Sequence, residues 1–314
     1  MKAYIYNKVK SEAWHISLTG LSFACVMLVM TALTSCSADE PDTSISVITV
    51  DKVDYTPFDY WLQRNYVQPY NITFKYRYED NESDMDYYTI PARYDLAIKL
   101  AHIVKYVCIE AYDEVGGIDF TRAYFPKMIF TIGEWEYRNN GTYILGTAEG
   151  GRKILLSGVN YLGQYVKDTD ALNTFYLQTI HHEFTHILNQ TVNYPADFQL
   201  ISGTNYVADK WSQSPFNEGY LQRGFISAYS QHSHVEDFAE LLCNYVCNSE
   251  EQWQHWMSQA GSEGERIISS KMEIVKTYMV EAFGVDLELL RSAIQRRQKD
   301  LKRGLIDLDD ISVN

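Results

Sequence analysis

Residues 180–190 read "IHHEFTHILNQ". The helix that carries them is expected to start near Thr169 or Asp170 and to run to about Asn189. On a helix, His182 and His186 stand four residues apart, so both imidazoles project from one face and can reach one metal ion, with Glu183 beside them. This is the HExxH arrangement, in which two histidines bind Zn2+ and the glutamate takes a proton from water activated at the metal. His181 lies one residue off that face and is expected to pack or hydrogen-bond rather than ligate.

A catalytic zinc takes three protein ligands and keeps a fourth position open for water, so a third residue is required. A metzincin-like chain would continue with glycine and then histidine, but Asn189 and Val192 stand at those offsets. The remaining candidates are Glu218 in "NEGY", Glu236 in "EDFAE", and His232 and His234 in "QHSH". Glu236 is preferred, because it opens an apolar helix and has Glu240 four residues on, on the same face. Glu236 then binds the metal while Glu240 accepts the free ring N–H of a ligand histidine, fixing its tautomer. Glu218 ranks second. Its "NEGY" resembles the "NEGF" ligand segment of aminopeptidase-type gluzincins, where that segment follows HExxH much more closely, and Pro215 and Gly219 argue against a stable helix there.

Upstream, "YNITFKYRYED" alternates as a half-buried strand does, and "YDLAIKLAHIVKYVCIEAYDEV" has the spacing of an amphipathic helix ending near Gly116 and Gly117. Three β-rich runs follow, "KMIFTIGEWEY", "GTYILGTA" and "RKILLSGVNYL", separated by the turn signals "RNNG" and "EGG". Downstream, residues 190–232 are rich in glycine and proline. Helices then resume in "VEDFAELLCNYV", "EEQWQHWMSQA", "ERIISSKMEIVKTYMVEAF" and "DLELLRSAIQRRQKDL". The pattern predicts an α+β fold in one catalytic domain over 55–314. An N-terminal part, 55–190, holds a mixed sheet with helices and the active-site helix, and a helical part follows over 191–314.

The first 35 residues are set apart. Lys2, Lys8 and Lys10 precede the apolar run "LSFACVMLVMTAL", which is too short for a bilayer span but suits a secretory signal. "LTSC" at its end resembles the bacterial lipobox, which makes Cys36 the lipidated anchor and residues 36–54 a flexible tether. The chain has 27 basic and 41 acidic residues, a net charge of −14. Removing residues 1–35 takes away three lysines and one glutamate and leaves 24 basic and 40 acidic residues, a net −16. Nucleic acid is therefore an unsuitable partner. Cys243 and Cys247 lie in an apolar helical run and are read as small buried hydrophobes rather than metal ligands.

"HEFTH" followed by "AYSQHSHVEDFAELL" resembles the metallopeptidase domain of anthrax lethal factor and its gluzincin relatives. The resemblance implies that Tyr229, seven residues before Glu236, stabilises the oxyanion at the substrate carbonyl, with His232 or His234 as the fallback. Thermolysin-like gluzincins carry aspartate where this chain has Glu240. The lipobox, the tether and "HHEFTHILNQ" together resemble the Bacteroidetes substrate import-associated zinc metallohydrolase lipoproteins. That likeness implies an outer-membrane location through Cys36 and partners of the SusC/SusD import type, while the HExxH site itself predicts one Zn2+ per chain and a peptide or protein substrate. The sheet before the HExxH helix and the helices after it predict a zincin-like fold whose cleft lies between the two parts, with "RKILLSGVNYL", by position and β content, as the strand that pairs with extended substrate in such folds. Two other functions use the same residues: a zinc amidase acting on a non-peptide amide, and a non-catalytic zinc-binding accessory lipoprotein.

Overall fold

The computed structural model describes residues 54–84, 86–138 and 141–313. The signal segment, Cys36 and almost all of the tether lie outside the described residues. The first helix, α1, starts at Pro57–Leu62 and continues through a π-helical segment, Gln63–Val67, into Gln68–Tyr70. Sequence reasoning places no helix here, yet a signal was present. Thr56 and Asp59 form a reciprocal capping box, each side chain bonding the other's backbone N–H, and Pro57 occupies the first helical position.

Strand β1 (Thr73–Lys75) leads to helix α2, built from Tyr94–Ile103, Val104–Ile109 in π-helical form and Glu110–Gly116. Helix α3 (Ile118–Tyr124) and strand β2 (Met128–Thr131) follow, then a short hairpin of β3 (Glu136–Tyr137) and β4 (Tyr143–Ile144). Strands β5 (Gly146–Glu149) and β6 (Lys153–Leu156) complete a four-stranded sheet in the order β1-β2-β6-β5. The first three of these run parallel, and β5 is antiparallel to β6.

This order corrects the expectation for "RKILLSGVNYL". Its strand, β6, is interior, hydrogen-bonded to β2 on one side and β5 on the other, and Ile154, Leu155 and Leu156 are all buried. An unbroken apolar run is what a strand covered on both faces requires. The edge strand beside the HExxH helix is β5, whose "GTA" is small enough for close approach: a Cβ on Gly146 would stand 2.6 Å from Thr179 Cγ2 of that helix.

That helix, α4, consists of Thr169–Leu172, a π-helical segment Asn173–Leu177 and Gln178–Thr191. Asp168 caps it by accepting from the amides of Asp170 and Ala171. Its apolar face is seated by Phe184, which is fully buried against Tyr112 and Phe125 with ring centroids 5.0 and 4.9 Å away. Burial of such a ring stabilises by about 1.5–3 kcal/mol. Helix α5 (Asp197–Ser202) lies in the glycine-rich connection. Three helices then close the fold: α6 (His234–Cys247), α7 (Glu250–Phe283), interrupted at Gly261 with φ 69°, and α8 (Leu287–Lys302). Helix α6 packs along α4 and carries Phe238, Leu241 and Leu242 into the same core. Among the described residues, no helix is long and apolar enough to cross a membrane.

Candidate metal centre

Two packed helices bring three electron-rich atoms to one point. His182 Nε2 lies 3.0 Å from Glu236 Oε2, His186 Nε2 lies 3.2 Å from the same oxygen, and the two Nε2 atoms are 3.0 Å apart. Two ring nitrogens and a carboxylate oxygen at such separations repel one another unless a proton or a cation lies among them. A tetrahedral zinc with bonds of about 2.0–2.1 Å needs its ligand atoms roughly 3.3 Å apart, so the donor set fits that ion.

The surroundings prepare these atoms for a metal. His182 Nδ1 lies 2.8 Å from Glu240 Oε1, and the ring's other nitrogen, Nε2, faces Glu236 and His186. Glu240 is held in turn by Ser227 Oγ, which donates to Oε2 at 2.7 Å. Burial opposes the charge on Glu236, but the contacts with His182 and His186 together outweigh it and hold the carboxyl well below its usual range. Glu240 behaves likewise: burial raises its pKa, and the contacts with His182 and Ser227 together leave it lowered. Both are kept as anions. Glu236 also sits in the first turn of α6, where Ser233 accepts its amide and the helix dipole favours negative charge.

Glu183 lies on the adjoining face of α4 with a different electrostatic character. Burial raises its pKa, although the Ala148 amide of β5 donates to the carboxylate. It borders a cleft of about 600 Å³ whose walls include Ala148, His186, Asn189, Tyr194, His234 and Glu236. The edge strand, the active-site helix and the start of α6 thus meet around one opening.

The remaining candidates separate clearly. Tyr229 sits on a 3-10 turn with its ring 5.9 Å from that of His182, and it also packs on Trp211 and His232. Burial, and next the charge of Glu236, raise its pKa and keep the phenol protonated. His234 meets the Tyr194 hydroxyl at 2.6 Å and lines the cleft, and His232 lies 3.4 Å from Asp209. Neither joins the three-atom cluster, and Glu218 is exposed in its loop. His181 is fully buried, with Nδ1 3.0 Å from the Tyr112 hydroxyl, and burial pushes its pKa down to about 3.

His182, Glu240 and Cys243 form a second close group. It offers a poorer donor set, because burial pushes the Cys243 thiol up to about 12, away from the thiolate that a metal takes. Sequence reasoning did not find Ser227 or the Ala148 amide. A loop serine and a backbone N–H carry no spacing signal, and only the packed structure shows them.

An α+β fold with two histidines and a glutamate gathered at a cleft defines a protein of the metallopeptidase kind. The chain belongs to the family described as "Putative zinc-binding metallo-peptidase", whose model matches residues 51–288. It is also similar to a crystal structure described in the same terms, from Bacteroides caccae. That structure shares 43% identity and a TM-score of 0.70, and the match covers 82% of this chain and 99% of the other. No curated protein matches the chain.

Proposed function

We propose that this protein is a zinc-dependent peptidase with one Zn2+ per chain, held by His182, His186 and Glu236. The observation that carries the reading is the convergence of the three donor atoms within 3.0–3.2 Å beside a cleft that contains Glu183. The bound zinc supplies Lewis acidity toward a water molecule and a peptide carbonyl.

The chain's own groups do the rest. Glu183, with a pKa raised by burial, accepts the proton of the attacking water and delivers it to the departing amine. Tyr229, a protonated phenol beside His182, donates to the carbonyl oxygen as charge develops there, a contribution commonly of about 3 kcal/mol. Glu240 and Ser227 hold the His182 ring and its tautomer. Strand β5, at the sheet edge and bordering the cleft at Ala148, is the place beside which an extended substrate backbone lies. Attachment to the outer membrane through lipidated Cys36, beside import proteins of the SusC/SusD type, belongs to the same reading and rests on the N-terminal sequence.

Zinc content of the tether-truncated protein, together with turnover of a peptide library, tests this function. Wild type should hold one zinc. Glu183→Gln should hold it equally and turn over nothing, Glu236→Ala should lose it, and Glu218→Ala should keep it. Wild type without zinc after metal supplementation, or Glu183→Gln as active as wild type, would sink the reading.

A further inference from the structure

Lys271 of α7 is fully buried, which is rare for a lysine. Its ammonium donates to Asp237 Oδ2 at 2.6 Å and to the Gly224 carbonyl at 2.9 Å, and it lies 4.0 Å from the centroid of the Phe225 ring. Asp237 is also fully buried and takes a second hydrogen bond from the Tyr206 hydroxyl at 2.9 Å. Asp237 is the neighbour of Glu236. Gly224 begins the segment that carries Ser227, the partner of Glu240, and Tyr229. One ammonium group of α7 therefore ties together α6 and the 224–229 loop, the two segments that carry Glu236, Glu240, Ser227 and Tyr229.

Stability does not account for this arrangement. A buried ion pair replaced by apolar residues of similar volume is often neutral or stabilising, because desolvation costs as much as the attraction returns. Geometry accounts for it better. The carboxylate of a helical glutamate lies about 6 Å from the helix axis, so a rotation of α6 by only ~10° moves it by ~1 Å. Ligand distances in a metal site tolerate roughly 0.2 Å. Apolar packing of Phe238, Leu241 and Leu242 fixes the depth of α6 well and its rotation poorly, since apolar contacts carry no direction. A charged pair with short hydrogen bonds does carry direction.

We propose that Lys271 is a positioning residue of the metal centre. Through Asp237 it sets the rotation of α6, and so the places of Glu236 and Glu240. Through Gly224 it sets the loop that delivers Ser227 and Tyr229. The inference rests on the three-ligand site proposed above.

The test uses Co2+ as the probe, read by its visible absorption and by competition with a chelator, alongside thermal unfolding of the metal-free protein. The variant is the double substitution Lys271→Met/Asp237→Leu. The expected result is an unfolding midpoint at or near wild type, with Co2+ affinity at least tenfold weaker and an altered visible band. Unchanged affinity and spectrum in the folded double variant would overturn the proposal, whatever the unfolding midpoint. Tyr206→Phe removes a single hydrogen bond to Asp237 and decides the matter if the double variant does not fold. A several-fold loss of Co2+ affinity at constant unfolding midpoint supports the inference, and wild-type affinity refutes it. Wild-type protein that binds no Co2+ would instead refute the three-ligand site itself.

Discussion

Glu240 shows how much one side chain away from the metal can decide. Its carboxylate stands 2.8 Å from His182 Nδ1, so its removal frees the ring to rotate and to adopt the wrong tautomer. Glu240→Ala should weaken zinc binding about 10–100-fold, measured by competition with a coloured chelator, while the protein stays folded. His181, one position before His182, has the opposite role. It is buried as a neutral ring, with a folded pKa depressed from 6.5 to about 3. As pH falls below 6.5 the unfolded chain takes up a proton there that the folded chain refuses, so its stability contribution is complete above 6.5 and is lost on the way down. The loss reaches up to about 1.4 kcal/mol per pH unit. Denaturant melts of the metal-free protein between pH 7 and pH 4.5 should show this slope, and His181→Gln should flatten it. An equal slope in both proteins would remove His181 as the cause.

At the scale of elements, the site depends on how closely edge strand β5 approaches α4. A Cβ on Gly146 would meet the Leu155 carbonyl at 2.5 Å and Thr179 Cγ2 at 2.6 Å, so no larger residue fits without moving strand or helix. Gly146→Ala should destabilise by about 1–3 kcal/mol. It should also lower activity by shifting the Ala148 amide from Glu183, while zinc content is preserved. Thermal unfolding and zinc content of one preparation check both halves of that expectation. The sequence made β6 stand out through its apolar "KILL", but that quality marks an interior strand. A short, small-residue segment such as "GTAE" gives a weak strand signal for the same reason that it suits an edge against a helix.

For the whole molecule, the question is whether the metal builds the fold or only occupies it. The core runs from α1 and α2 through α4 and α6 to α8, with many fully buried side chains remote from the histidines. The metal-free protein should therefore be folded. Zinc should stabilise it by mass action alone, by about 2.7 kcal/mol when free zinc is 100 times the dissociation constant, and so raise the unfolding midpoint. Scanning calorimetry with zinc and with chelator measures the shift, and Glu236→Ala should abolish it. Collapse of the fold on chelation would show the metal to be structural.

What the sequence by itself determined is what local spacing can encode. The four-residue separation of His182 and His186, and that of Glu236 and Glu240, places each pair on one helix face wherever those helices lie. The α+β order of strands and helices was legible from apolar periodicity. The choice among Glu236, Glu218, His232 and His234 was legible only as a preference, since all lie 32 to 54 residues beyond the histidines. By packing α6 along α4, the tertiary structure brings Glu236, and none of the other three, beside both histidines. It also selected β5 as the edge, brought Ser227 to Glu240, and joined Lys271, Asp237 and Tyr206 in one buried network. The physical reason is common to all of these. Helical and strand periods state which side chains share a face, whereas the meeting of two faces depends on the shape and burial of everything between them.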